Sequence, residues 1–249
     1  MILYGRNPVR EALRGRRAGS VRDVWATAGA AREPWLAGVA VRTAGADEIE
    51  RRCGSDAHQG LCADAGPYHY ASAEELLSVQ EPLLVVLDQI QDPQNLGSIC
   101  RTAECAGAAG VIIPERRAAE VTAAVCKASA GAVEHLPVAR VRNLADFLAD
   151  ARTAGCWCYG ASAEAEPGSD RPGERAQTPA PVPYDTPDYS GSGIVLVLGS
   201  EGAGLRPRVA GACDQLIALP LLGRIESLGV SAAAAALLYE ILQSRSLRT

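Results

Sequence analysis

Lysine is almost missing from this sequence: Lys127 is the only one, and arginine supplies the remaining basic side chains. Histidine is scarce too, at positions 58, 69 and 135, and no two of the eight cysteines form a C-x-x-C pair. With H-E-x-x-H also missing, the familiar zinc spacings are excluded and no metal is expected. Cys156 and Cys158, the nearest pair, share one face of an expected strand, where reduced buried thiols are the plainer reading. No apolar run approaches the roughly 20 residues of a membrane span, and the opening MILYGRNPVREAL lacks the apolar core of a signal peptide. A cytoplasmic protein with no membrane partner is therefore expected. Neither G-x-G-x-x-G nor G-K-[ST] occurs, so the dinucleotide fingerprint and the P-loop are both unmet.

What is present is the composition of a soluble globular protein, 48% apolar and 21% charged, in 249 residues that suffice for one large or two ordinary domains. The net charge of −5 argues against a generally basic coat, yet it is unevenly spread. Residues 1–52 hold ten arginines against six acids, a surplus of four positive charges, which leaves −9 on the remainder. A basic first segment on an acidic whole fits a module facing a polyanion, and equally a solvated arginine surface.

Residues 1–66 read as a small α/β unit, with a helix over Asn7–Arg14, a strand over Val21–Thr27 and short apolar pieces near 39–41 and 61–63. Gly66-Pro67 breaks the pattern, and residues 67–80 read as a linker with a short helix at Ala73–Leu77. From 81 to 249, strands at 83–87, 110–113, 156–160, 194–198 and 216–219 alternate with helices at 96–106, 119–129, 143–153, 205–211 and 231–244. Such alternation predicts an α/β domain with a mainly parallel sheet. Residues 161–193, rich in Pro, Gly, Ser and Asp, read as a long loop.

Three segments carry candidate chemistry. In LLVVLDQIQDPQNLGSICRTAECAG (83–107) a buried strand leads to an expected N-cap at Asn95 and then to Leu96, Ile99, Ala103 and Ala106 at helical spacing. Arg101 lies roughly 140° around that helix from Leu96 and points away from the apolar stripe. Ligands of open α/β sheets sit at such strand ends, although an Asp-Pro-x-Asn loop can also do no more than cap a helix. In IVLVLGSEGAGLRP (194–207) Gly199, Gly202 and Gly204 allow backbone N–H groups close to a ligand, while Glu201 disfavours phosphate there and a plain tight turn stays open. In ALPLLGRIESLGVSAAAAALLYEIL (218–242) a strand ends at Pro220, a polar loop carries Ser227 and Gly229, and Ala232–Ala236 permit close helix packing.

Taken together, DPQNLGSICRTAE, VLGSEGAGL and LPLLGRIESLGVSAA resemble, in order, the three motifs of the SpoU (TrmH) family of RNA ribose 2′-O-methyltransferases. YGRNPVREAL and His58-Gln59-Gly60 are similar to parts of the substrate-binding domain of that family's large-subunit ribosomal RNA guanosine methyltransferases. The resemblance implies a catalytic domain with a carboxyl-terminal trefoil knot, an exception to the rule against threaded chains. It also implies a preceding α/β RNA-binding domain resembling a ribosomal protein, S-adenosylmethionine as cofactor, and a homodimer. Carried over by motif, Gly199, Leu219 and Leu228 would contact S-adenosylmethionine, while Asn95, Arg101, Glu201 and Ser227 would line the reacting centre. Implied substrates are a guanosine ribose of 23S ribosomal RNA or, alternatively, a transfer-RNA ribose; a non-catalytic RNA-binding or ribosome-assembly factor on the same scaffold is the reading from another class.

Arginine resists deprotonation, so Arg101 fits a cation that binds a phosphate and stabilises a developing alkoxide. Asn95 and Glu201 would hold Arg101 and the loop, and Ser227 would help position substrate or cofactor. One position departs from the family: where it usually reads S-L-N-V-S, this chain has Ser227-Leu228-Gly229-Val230-Ser231, which removes a side-chain amide.

Overall fold

A computed structural model describes residues 1–162, 180–225 and 227–246. The amino-terminal part contains β1 (Ile2–Tyr4), α1 (Arg6–Ala12), β2 (Asp23–Ala26), β3 (Val41–Thr43), α2 (Ala46–Cys53) and β4 (Leu61–Asp64). Its four strands form one sheet in the order β1-β4-β2-β3, antiparallel except for β2 with β3.

After α3 (Ala73–Leu77) come β5 (Leu83–Asp88), α4 (Pro93–Cys105), β6 (Gly110–Pro114), α5 (Ala123–Ala128), β7 (Val138–Val141), α6 (Leu144–Thr153) and β8 (Cys156–Ser162). The chain continues through β9 (Val182–Pro183), β10 (Gly193–Gly199), α7 (Pro207–Ala210), β11 (Gln215–Ala218) and α8 (Val230–Ser246). The strands build a seven-stranded sheet ordered β7-β6-β5-β10-β8-β11-β9, parallel throughout.

Every residue of β5 is buried, because helices cover both faces. Leu83, Val85 and Leu87 share a core with Leu96, Ile99 and Ala103 of α4 and with Ala234, Leu237 and Ile241 of α8. Leu84 and Val86 point the other way, into a core with Leu144, Phe147 and Leu148 of α6. From β5 the chain steps outward to β6 and β7, then crosses back to build β8, β10 and β11 on the other side. The order of strands thus reverses beside β5 and β10, and their carboxyl ends flank the usual ligand crevice of such sheets.

The two sheets are not separate bodies joined by a string. Leu3, Val9, Ala12 and Leu61 belong to the same buried cluster as β5 and α4. Buried Arg17 crosses the seam to Glu134, its Nε donating to Oε2 at 2.9 Å and its Nη2 to Oε1, with Tyr68 under its guanidinium at 5.2 Å. Lys127 donates to the Ala57 carbonyl at 2.9 Å and to Gln59 Oε1 at 3.0 Å, and Gly5 leaves room for its ammonium, since a Cβ there would lie 2.4 Å from Nζ. The expected linker 67–80 is itself packed: Tyr68 donates to the Val133 carbonyl, Tyr70 accepts from the Val121 N–H, and Ala71 donates to the Val138 carbonyl.

Several sequence expectations change. The N-cap of α4 is Asp92, whose carboxylate accepts from the Gln94 N–H at 3.0 Å. Pro93, pre-set for the first helical position, starts the helix there, and Asn95 lies inside the first turn. Strand β7 joins the sheet unannounced, and the helix expected from 119 begins only at Ala123. Of the expected loop 161–193, Ala161 and Ser162 extend β8, while Val182–Pro183 forms an edge strand on β11. Tyr189, only 1% exposed, packs edge-on against Tyr159 at 5.0 Å. Residues 163–179 of that expected loop lie outside the described residues.

Candidate functional site

Three loops meet at the carboxyl edge of the parallel sheet, after β5, β10 and β11. The first leads through Asp92 and Pro93 into α4, whose apolar face is fixed by the core and whose opposite face carries Gln94, Ser98 and Arg101. Arg101 is exposed and has no hydrogen-bond or ion-pair partner among the described residues. Asn95 is half-buried, and its Nδ2 donates to Glu201 Oε1 at 3.1 Å, joining α4 to the second loop.

That second loop folds back on itself through a reciprocal pair of backbone bonds, Ser200 N–H to the Gly204 carbonyl at 3.1 Å and Gly204 N–H to the Ser200 carbonyl at 2.9 Å. Gly199 is what permits this fold: a Cβ there would lie 2.2 Å from the Gly204 carbonyl carbon. Asp88, the last residue of β5 and fully buried, anchors the end of the loop. Its Oδ2 accepts from the Arg206 backbone N–H at 2.9 Å and its Oδ1 from Arg206 Nε at 2.8 Å. This clasp was not anticipated, because Asp88 reads as the polar end of an apolar run and Arg206 as one arginine among many.

The third loop, 219–229, differs in character. Among the described residues, 219–225, 227 and 228 make no backbone–backbone hydrogen bond, and Leu222, Ile225 and Leu228 are 98%, 75% and 53% exposed. It therefore offers free backbone donors and acceptors next to apolar side chains, a mixed surface suited to a flat heterocycle with polar edges. Gly229 closes it at φ +74°, and a Cβ at this position would stand 3.7 Å from Glu201 Oε1. Asparagine tolerates that left-handed backbone well among residues with side chains. Gly229 thus keeps a backbone conformation that an asparagine would also adopt, while lacking its amide.

Of the residues singled out in the sequence, the structure joins Asn95 to Glu201 and sets Gly229 beside Glu201. Gly199, Leu219, Ser227 and Leu228 fall on the other two loops. Neither Arg101 nor Ser227 is hydrogen-bonded to Asn95 or Glu201; the partner of Glu201 is Asn95 rather than Arg101. Among the described residues no group of His, Cys, Asp and Glu could hold a metal ion.

Three strand–loop–helix units converging where a parallel sheet reverses its order define an α/β protein with a ligand site at the carboxyl edge of its strands. The chain belongs to the SpoU rRNA Methylase family, whose model matches residues 82–239. Residues 2–71 match the RNA 2′-O ribose methyltransferase substrate binding domain. Over 195 residues the chain is 40% identical to YacO of Bacillus subtilis, named as a TrmH family tRNA/rRNA methyltransferase, covering 76% of this chain and 72% of that one. The structure is similar to an AdoMet-bound rRNA methyltransferase from Sinorhizobium meliloti, with a TM-score of 0.75, 26% identity, and coverage of 97% of this chain and 86% of that one. It is also similar to a TrmH-family RNA methyltransferase structure from Porphyromonas gingivalis, with a TM-score of 0.69, 29% identity, and coverage of 100% and 90%.

Proposed function

We propose that this protein transfers a methyl group from S-adenosylmethionine to the 2′-hydroxyl of a ribose in RNA, and that the substrate is a guanosine of 23S ribosomal RNA. The observation that carries this reading is the composite edge itself: an unpartnered Arg101 on α4, the Asn95–Glu201 bond, and a third loop with unused backbone groups. When bound, S-adenosylmethionine supplies an electrophilic methyl group at a sulfonium centre. Gly199, Leu219 and Leu228 would hold it, chiefly through backbone N–H and C=O groups.

Arg101 binds the phosphate next to the target ribose and stabilises negative charge as it develops on the 2′ oxygen, while a phosphate oxygen or water takes the proton. Its own deprotonation is not needed, in keeping with the high pKa of a guanidinium. Asn95 and Glu201 fix the second loop against α4, and Ser227 positions the substrate or the cofactor loop. Residues 1–66 bind RNA, 67–80 connect, and 81–249 form the catalytic domain, with the carboxyl-terminal part threaded as a trefoil knot. The protein works as a cytoplasmic homodimer; exposed Tyr239 on α8 and exposed Leu222 and Ile225 on the third loop offer apolar surface for a second copy.

Transfer RNA is the second substrate reading, favoured by the name of the Bacillus relative, which covers both RNA classes. A non-catalytic RNA-binding role is less well supported, because Gly229 keeps the left-handed turn at the site. Labelled methyl transfer to 23S, 16S and transfer RNA from cells lacking the protein separates these readings. Label on a 23S guanosine ribose supports the proposal, and label in transfer RNA alone moves the substrate. No label together with no S-adenosylmethionine binding by calorimetry rejects the enzyme.

A further inference from the structure

We propose that the loops after β6 and β7 form a second RNA contact, an arginine track of Arg116, Arg117 and Arg142 that grips backbone phosphates beyond the reacting ribose. The inference rests on the RNA substrate read above and extends it to side chains outside the three motifs. All three arginines are exposed and have no hydrogen-bond or ion-pair partner among the described residues.

Register puts these loops at the same edge as the candidate site. Pro114, the end of β6, pairs with Val141, the end of β7, so Glu115–Arg117 and Arg142 emerge side by side. The Glu115 N–H donates to the Val141 carbonyl at 2.9 Å, and the Ala119 N–H donates to the Ile90 carbonyl at 2.8 Å, which ties the loop to the one that leads into α4. β10, β5, β6 and β7 are successive neighbours, so the track begins within roughly 15 Å of Gly199 at about 4.8 Å per strand.

Local charge favours an anion. Glu120 is engaged by Arg140 at 3.4 Å, and Asp146 accepts from Asn143 Nδ2 at 2.8 Å and faces Arg208 at 3.6 Å. Among the described residues of these two loops, three unpaired arginines therefore stand against one unpaired carboxylate, Glu115. Arg117 also sits at φ +58°, a backbone state that an arginine enters at a cost and that a glycine would adopt freely. That strain is tolerated at a position where the side chain is presented outward.

The test compares the wild type with the Arg116→Ala/Arg117→Ala/Arg142→Ala variant, using 23S ribosomal RNA and full-length protein. S-adenosylmethionine binding and melting temperature are expected to stay unchanged. The dependence of log K for RNA on log salt should flatten by about 2, at roughly 0.7 for each single-strand phosphate contact, and KM for RNA should rise about tenfold with kcat retained. An unchanged salt slope and KM overturn the track. A wild type that binds RNA without methylating it refutes the proposed reaction, while the slopes still decide the track; no RNA affinity at all overturns both.

Discussion

Asp88 and Arg206 are clasped by three contacts: the Arg206 backbone N–H at 2.9 Å from Oδ2, and Nε and Nη2 each at 2.8 Å from Oδ1. The carboxylate is fully buried, whereas the arginine side chain is 45% exposed. The clasp binds the end of the first motif strand to the exit of the second motif loop, and so fixes the spacing between Asn95 and Glu201.

Asp88→Ala leaves the Arg206 N–H without its partner and removes a charge-assisted bond, at a cost of about 2 kcal/mol in stability. S-adenosylmethionine affinity should fall as well, because the 200–206 loop loses its anchor. Denaturant unfolding and calorimetry check both; an unaltered affinity would show that the loop needs no anchor.

The positive φ of Gly229 makes a directional prediction. Gly229→Asn is expected to fold with a melting temperature within a few degrees of wild type and to methylate RNA at least as fast, since its Cβ meets Glu201 Oε1 at an ordinary 3.7 Å. Gly229→Val, β-branched in a left-handed position, should lose more than about 1 kcal/mol. A tenfold drop in turnover for the asparagine variant would contradict the reading of this turn.

Arg17 and Glu134, 4% and 0% exposed, pin the amino-terminal part of the chain to the part built on the seven-stranded sheet. Burial works against the charge on Arg17, yet the hydrogen bonds and charge of Glu134 outweigh it and hold the guanidinium more firmly protonated. Removing one partner strands the other, so Arg17→Ala is expected to cost about 3–5 kcal/mol and to lower the melting temperature by about 10 °C. Replacing both by apolar residues of similar volume should recover much of that loss. Equal losses in the single and double variants would argue against the pair as the seam's main polar lock.

Cysteine reactivity gives a readout of burial. Burial pushes the thiols of Cys100, Cys126 and Cys213 up to about 12 and that of Cys62 up to about 11, so they stay protonated and inert. Cys105, exposed on α4, should react with iodoacetamide first, half-buried Cys53 more slowly, and the remaining six only on unfolding. Mass spectrometry after brief labelling at about pH 8 decides; prompt modification of Cys100 would contradict the packing of α4.

Much of the carboxyl-terminal part was legible in sequence because its three motifs are local: each is an apolar strand running into a glycine-rich or polar loop, and the first continues into a helix with a clear apolar stripe. Where the chain was misread, a non-local cause decided. Asn95 resembles a cap, but Asp92 and Pro93 start the helix earlier, and Asn95 is instead recruited by a residue 106 positions away. Val138–Val141, short and broken by Arg140, becomes a strand only because β6 offers it an edge. Tyr189 looks like part of a polar loop until Tyr159 provides a wall for it. The clasp of Asp88 and the seam through Arg17 and Lys127 depend on pairings more than 60 residues apart, which no local pattern encodes.

The central claim is that Arg101 stabilises the transition state of methyl transfer. Labelled methyl transfer from S-adenosylmethionine to 23S ribosomal RNA by Arg101→Ala, alongside calorimetric titration of the same variant, tests it most directly. The account predicts a loss in kcat on the order of a hundredfold or more with cofactor affinity retained; turnover equal to wild type would remove Arg101 from the mechanism.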